Sequence, residues 1–271
     1  MNTVTGIMTG KRGLVMGVAN DYSIAWGIAQ ALHAQGAELA FTYLGDPIKK
    51  RIEPLAKEVG SNIVVPCDVM DEASIDAAFK QLGSTWPSID FIVHSIAFSD
   101  KNELKGRFID TTLSNFNTTL QVSCYSFVSV LRRAAPMMKN GGSALTLSYY
   151  GAEKVMPNYN VMGVAKAALE SSVRYLAADV GPDNIRVNAL SAGPMRTLAG
   201  SAIGGARATY KTAIETSPLK RAMTLEDIGG AALYLLSPLS SGVTGEIHYV
   251  DGGYNVMGMK KPENGASNGD D

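Results

Sequence analysis

The feature that most constrains this chain is the alternation of short, continuously apolar runs with longer amphipathic stretches. The runs Gly13–Val18, Leu39–Tyr43, Ile63–Pro66, Phe91–Ser95, Ala144–Ser148, Ile185–Leu190 and Ile247–Val250 show little apolar–polar alternation. A strand that is apolar on both faces must be covered on both, which is the condition of a parallel sheet between two helix layers. Between the runs, Ser23–Gln35 places Ile24, Ile28, Ala31 and Leu32 on one helical stripe, and Gly36 follows as a stop signal. Leu113–Met138, Tyr159–Asp179 and Leu225–Ser237 read as further helices. Such alternation implies βαβ units with right-handed crossovers. The expected fold is α/β, a doubly wound parallel sheet of about seven strands with helices on both faces.

A chain of 271 residues leaves room for a second domain, given about 150 residues per domain. No Pro/Ser-rich linker and no internal repeat divides it, so residues 1–259 are expected to form a single domain. The last stretch, 260–271, is rich in Asn, Gly and Asp and reads as a disordered tail. Hydrophobic residues at 46% and charged residues at 18% exclude wholesale disorder. A net charge of −1 excludes a broad basic surface, so nucleic acid and membrane surfaces are not expected partners. Cys67 and Cys124 sit in apolar surroundings and read as buried thiols in a reducing compartment. His33, His94 and His248 lack ligand spacing, so no metal is expected. The N-terminus lacks a signal pattern and no apolar run approaches the roughly 20 residues of a membrane span. A cytoplasmic protein is expected.

The first apolar run leads into Gly17-Val18-Ala19-Asn20-Asp21-Tyr22-Ser23-Ile24-Ala25-Trp26-Gly27. A turn after the first parallel strand, opening a helix, is where a dinucleotide pyrophosphate sits: glycine lets the backbone approach and free N–H groups attract the charge. The usual G-x-G-x-x-G is absent, and by itself this stretch is equally a plain strand–helix turn. Asp68-Val69 closes the third run, where a carboxylate suits an adenine amino group, and Ser95-Ile96 closes the fourth. Three such endings at strand carboxyl ends favour a cofactor cleft. The second run ends at Leu44, with neither an Arg for a 2′-phosphate nor an acid for a free 2′-hydroxyl, and NADH is favoured over NADPH.

Tyr159 and Lys166 stand seven apart, two turns along one helix face. A lysine cation beside a phenol is expected to favour the phenolate and lower its pKa from about 10. Tyr149, at the end of the fifth run, would enter a cleft from another wall. Taken alone, two tyrosines across a strand–helix junction are also an ordinary packing pair.

Taken together, several segments resemble the enoyl-acyl-carrier-protein reductase family, a divergent branch of the short-chain dehydrogenase/reductases with a Rossmann-type fold. They are Gly17 with Ser23-Ile24-Ala25-Trp26-Gly27, His94-Ser95-Ile96-Ala97-Phe98, Tyr149, Tyr159 through Lys166, Arg186 through Pro194, and Asp251-Gly252-Gly253-Tyr254. The match runs from about residue 8 to about 258. Its most specific element is Tyr-x6-Lys, where the parent superfamily has Tyr-x3-Lys and this chain has Gly163.

The resemblance implies NADH-dependent reduction of the trans-2 double bond of enoyl-acyl-carrier-protein thioesters, in fatty-acid elongation. It implies that Tyr159 donates a hydrogen bond to the thioester oxygen and that Lys166 holds the nicotinamide ribose. Tyr149 is implied to assist with substrate, and Ser99 matches a substrate-contacting position. Gly17, Ser23, Ile24, Asp68, Val69, Ser95, Ile96, Met195, Arg196, Thr197, Leu198 and Ala199 are carried over as cofactor contacts. Leu44 departs from the polar residue expected at the adenosine edge and is carried over as a backbone contact only. A substrate flap is expected over about 194–212, its part from 200 rich in Gly and Ala. Arg207 and Lys211 lie there at helical spacing, as candidate contacts for an acidic carrier protein or as part of a solvated charged face. The ending from Gly245 to Met259 implies a homotetramer. Two other readings stand beside this one. A carbonyl reductase on the same fold is disfavoured by Gly163, and a non-catalytic dinucleotide sensor has no need of Tyr149, Tyr159 and Lys166 together.

Overall fold

The computed structural model of the chain describes residues 6–195, 197 and 205–259. The strands are β1 (Arg12–Met16), β2 (Glu38–Tyr43), β3 (Val64–Pro66), β4 (Phe91–His94), β5 (Gly142–Ser148), β6 (Ile185–Ala192) and β7 (Ile247–Val250). They form one seven-stranded sheet in the order β3-β2-β1-β4-β5-β6-β7, every pair parallel. The fold is the doubly wound α/β type that continuous apolar runs predict.

The helices are α1 (Ile24–Ala34), α2 (Gly45–Glu58), α3 (Glu72–Thr85), α4 (Leu113–Leu120), α5 (Ser126–Ala134), α6 (Asn160–Val180), α7 (Ala206–Thr216) and α8 (Leu225–Leu236). Successive strand residues feed opposite layers, as the two-residue period requires. Leu14, Met16, Ile92 and Ala144 pack with Ile75 and Phe79 of α3, Phe127 of α5 and Leu169 of α6. Val15, Phe91, Val93 and Leu145 pack with Trp26 and Ile28 of α1, Ile52 of α2 and Ile228 of α8. Both layers are buried, which explains why apolar residues run on along the strands without a regular polar alternation, the polar ones among them, such as Thr42, Thr146 and Asn188, being buried too.

Two local differences from the sequence-based expectation have physical causes. The stretch Leu113–Met138 is helical to Met137, as its sequence suggests, but it passes through a π-turn at Gln121–Tyr125 between α4 and α5, with Leu120, Gln121 and Ser126 all in right-handed helical conformation. There the Ser123 hydroxyl accepts from the Phe98 N–H at 3.0 Å and donates to the Phe98 carbonyl at 3.1 Å, tying the helix to the chain leaving β4. Helices α2 and α3 stand where the sequence-based expectation names none. In α2 only Ile52, Leu55 and Ala56 are buried, and Pro54 lies inside it.

Cys67 and Cys124 are both free and buried. Among the described residues no cluster of His, Cys, Asp and Glu is arranged to hold a metal ion, and no helix is long and apolar enough to cross a membrane. The tail 260–271 lies outside the described residues.

Candidate active site

The sheet order reverses between β1 and β4, and their carboxyl ends nearly touch. Gly17 has φ +97°, and a Cβ there would lie 2.0 Å from the Ser95 carbonyl oxygen. Only glycine meets both conditions. Beyond it, the Ser23 hydroxyl accepts from the N–H groups of Ala19 (3.0 Å) and Asn20 (3.1 Å) and donates to Asn20 Oδ1 (3.1 Å). It is consumed in folding the loop and does not cap α1. The first N–H groups of α1, at Ile24 and Ala25, are therefore left without a side-chain acceptor, and that helix end is receptive to an anion. Gly27 has a different task from Gly17. It lies inside α1, and a Cβ there would stand 2.7 Å from Leu225 Cβ, so it sets the close approach of α1 and α8.

The other edge positions follow along the strand ends. Leu44 precedes α2 and is 60% exposed. Strand β3 ends at Pro66, two residues before Asp68. Asp68 Oδ1 accepts from the Met70 N–H and the Asp68 N–H donates to Ser74 Oγ, both at 2.9 Å, while Val69 is buried. Ser95 donates its N–H to the Met16 carbonyl at 3.1 Å, and Ile96 is half-buried beside it.

A cleft of about 1320 Å³ opens at this edge. It is lined by Ile24, Ser99, Tyr149, Tyr159, Lys166, Met195 and Thr197 among the sequence-derived candidates. Its apolar wall is a small third core in which Leu104, Tyr159 and Met162 are buried, with Tyr149 and Met156 against them. Such a volume exceeds the roughly 300–1,000 Å³ of most single-ligand sites.

Tyr159 caps the start of α6, and Lys166 faces the same cleft two turns on, as their spacing predicts. The rings of Tyr149 and Tyr159 meet edge to face, with centroids 5.1 Å apart. Lys166 is only 6% exposed, and its Nζ donates to the Leu147 carbonyl at 2.6 Å. The expected phenolate is not favoured. Burial raises the Tyr159 hydroxyl well above the usual phenol value, and burial likewise pushes Tyr149 up to about 12. Burial also pulls Lys166 down to about 8. At neutral pH the site therefore holds two phenol O–H groups and an ammonium that gives up its proton more readily than an exposed lysine. The Tyr159 hydroxyl has no hydrogen-bond partner among the described residues.

Two glycines shape the seat of Tyr159. A Cβ on Gly151 would lie 2.5 Å from Tyr159 Cδ1, and a Cβ on Gly163 would lie 2.8 Å from the Gly151 carbonyl oxygen. No side chain fits at 163, which is why the lysine of Tyr-x3-Lys has no place here.

Met195 packs against the core beside α1, and the Thr197 N–H donates to the Met195 carbonyl at 3.0 Å. Arg196, Leu198 and Ala199 lie outside the described residues, as do 200–204 of the expected flap. Residues from Ala206 form α7, which brings Arg207 and Tyr210 to the cleft. Lys211 instead pairs with Glu215 on the solvated side at 3.6 Å.

Several residues that single-residue reasoning passes over stand in the site. Asn115 is buried on α4: its Oδ1 accepts from the Asp100 N–H at 3.0 Å and its Nδ2 donates to Ser99 Oγ at 3.2 Å. Thr119 donates to Ser99 Oγ at 2.9 Å. Asn115, Thr119, Ser123 and Ser126 recur at spacings of four, four and three, a polar stripe on a buried helix face that is itself a sequence signal. His94 lies beneath the cleft with Nδ1 3.1 Å from Thr146 Oγ1 and Nε2 2.8 Å from Ser126 Oγ. Burial pulls its pKa down to about 3, so it is a neutral, structural imidazole.

Comparison with known proteins places this geometry. A family model described as enoyl-(acyl carrier protein) reductase matches residues 17–255. The chain is 61% identical over 256 residues to "Enoyl-[acyl-carrier-protein] reductase [NADH] 2" of Rhizobium meliloti, covering 94% of this chain and 96% of the relative. It superposes on the crystal structure of FabI from Candidatus Liberibacter asiaticus with a TM-score of 0.93 at 56% identity, covering 95% and 100% of the two chains. It superposes on an enoyl-(acyl-carrier-protein) reductase of Anaplasma phagocytophilum in complex with NAD with a TM-score of 0.91 at 57% identity, covering 96% and 97%.

Proposed function

The chain belongs to the enoyl-(acyl carrier protein) reductase family, and from that premise we infer that it reduces the trans-2 double bond of enoyl-acyl-carrier-protein thioesters with NADH, in fatty-acid biosynthesis. The observation that carries the reading at the level of residues is the convergence of Tyr149, Tyr159 and Lys166 on one cleft at the carboxyl edge of the sheet.

The edge suits an extended dinucleotide. The unanswered N–H groups at the start of α1 are disposed for its pyrophosphate, and Asp68 for its adenine. Leu44 would contribute backbone, and Gly17, Ser23, Val69, Ser95 and Ile96 would shape the floor. Arg196, Thr197, Leu198 and Ala199, with Met195, would close the nicotinamide end. When bound, NADH supplies hydride to the β-carbon of the enoyl thioester.

The chain's own groups then handle the charge that develops on the thioester oxygen. Tyr159, held as a neutral phenol by burial, donates a hydrogen bond to that oxygen as the charge grows. Lys166 offers N–H donors and positive charge to the ribose and to the same end of the cleft. Tyr149 braces the Tyr159 ring through its edge-to-face contact and lines the path of the substrate. Ser99, fixed by Asn115 and Thr119, offers a polar contact in the same cleft. Leu104, Met156 and Met162 receive the acyl chain, and Arg207 at the mouth meets the acidic carrier. A cytoplasmic homotetramer is the assembly we assign.

The reading is tested by loss of absorbance at 340 nm with a crotonyl or longer enoyl thioester, comparing kcat/KM for NADH and NADPH. Turnover with preference for NADH is expected, and Tyr159→Phe should lower kcat about 10²–10³-fold, the usual effect of removing one donor to a developing oxyanion. No turnover with either nicotinamide would overturn the function. A Tyr159→Phe enzyme as fast as the wild type would overturn the assignment of the donor.

A further inference from the structure

Lys166 and Glu170 stand one turn apart on α6, and each is only 6% exposed. While Lys166 Nζ donates to the Leu147 carbonyl at 2.6 Å, the Glu170 carboxylate accepts from the Ser148 hydroxyl at 2.5 Å. Two turns of the helix thus grip two successive residues at the end of β5, and the third residue, Tyr149, enters the cleft. Burying a carboxylate is costly unless something answers its charge. A neutral amide would accept the Ser148 hydrogen bond equally well, so a hydrogen-bonding role alone does not account for an acid here. What the acid adds is a negative charge one helical turn from a buried ammonium, acting across space and not through a direct ion pair.

On the reading that Lys166 serves the reaction, we propose that Glu170, locked in place by Ser148, is a positioning residue that holds Lys166 as an ammonium and fixes the strand end bearing Tyr149. The mutual effect of the pair has this sign, set against burial, which moves each group towards its neutral form. Burial depresses Lys166, while Cys124 and then Glu170 act to raise it. Burial raises Glu170, against the Ser148 hydrogen bond and the charges of Arg174 and Lys166, while Glu153 pushes it further up. Among the described residues, the charged and titratable groups facing the pair are Arg174 on α6, Glu153 after β5, Cys124 in the π-turn, Tyr159 at the head of α6, His94 on β4 and Tyr249 on β7. Tyr249 of β7 donates to Glu153, tying that carboxylate outward.

The sign is fixed by removing the charge: without Glu170 the Lys166 ammonium loses its proton at lower pH. The deciding experiment titrates Lys166 by NMR in ligand-free protein labelled with ¹³Cε-lysine, its resonance assigned with Lys166→Met. In Glu170→Gln, which keeps the acceptor for Ser148 and deletes the charge, the midpoint should fall by about one pH unit. The alkaline limb of kcat/KM should move down by the same interval. A midpoint and limb equal to those of the wild type would overturn the proposal. Should Glu170→Gln fail to fold, Ser148→Ala carries the test. Releasing the carboxylate should lower the midpoint in the same direction, and an unchanged midpoint overturns the proposal there too. An enzyme inactive on enoyl thioesters would sink the reductase reading, whereas the NMR titration decides the counter-charge without any turnover.

Discussion

At the scale of single residues, burial outweighs the pairwise effect that spacing suggests. Seven residues between a tyrosine and a lysine suggest a phenol acidified by a cation. In the folded chain both groups are enclosed, and enclosure penalises whichever form is charged. Tyr159 keeps its proton and Lys166 holds its own less firmly. The consequence is a pH dependence governed by the lysine. For free enzyme, kcat/KM should fall as pH rises past about 8, where Lys166 loses its charge. Unfolding is not the cause of that fall, as the linkage sign shows. Because the folded-state value lies below the ordinary 10.5, the unfolded chain binds more protons at this site between about 8 and 10.5, and this group's contribution to stability rises with pH there. A kcat/KM profile flat to pH 10, measured beside a thermal melt at each pH, would show that Lys166 need not be charged.

At the scale of elements, contacts between backbones decide what side chains can stand in the site. The turn after β5 lies so close to α6 that Gly151 and Gly163 leave space only for the Tyr159 ring. Adding one methyl group at 151 puts a carbon 2.5 Å from that ring, closer than any real contact, so the ring must move. Gly151→Ala should therefore lower kcat by up to about 100-fold, the usual cost of displacing a reacting group by about 1 Å, with KM for NADH little changed. Full activity in that variant would mean that the ring tolerates displacement. The π-turn acts on the same principle, since pulling Ser123 onto the Phe98 backbone sets the wall that carries Ser99.

At the scale of the whole molecule, the cleft exists because the strand order reverses between β1 and β4, so that chains leaving neighbouring strands depart to opposite sides. The same architecture leaves apolar side chains uncovered. Val164 and Tyr175 lie eleven residues apart, three turns along one face of α6, and both are exposed; Leu239, Val256 and Met259 are exposed towards the other end of the chain. Exposed apolar side chains on α6 and near the end of the chain are available for contacts between copies, and the expected assembly is a tetramer. Light scattering on the purified protein should give four times the 28.7 kDa chain mass. Tyr175→Glu should lower it, and a wild-type mass of one chain would refute the assembly.

Much of this was legible in the sequence. Continuous apolar runs required a sheet covered on both faces, Gly36 with φ +92° stopped the first helix where it should, and Tyr-x6-Lys placed both side chains on one face. These are properties of residues near one another in sequence or of a period that a helix or strand enforces. Tertiary structure alone decided the rest. The π-turn within Leu113–Met138 carries Ser123 onto the Phe98 backbone, Gly27 serves α8 and not the cofactor turn, and Glu170 meets Ser148 from 22 residues away. The ionisation of Tyr159 and Lys166 belongs with these. How far a group is removed from water depends on all the elements packed around it, and no spacing along one helix encodes that.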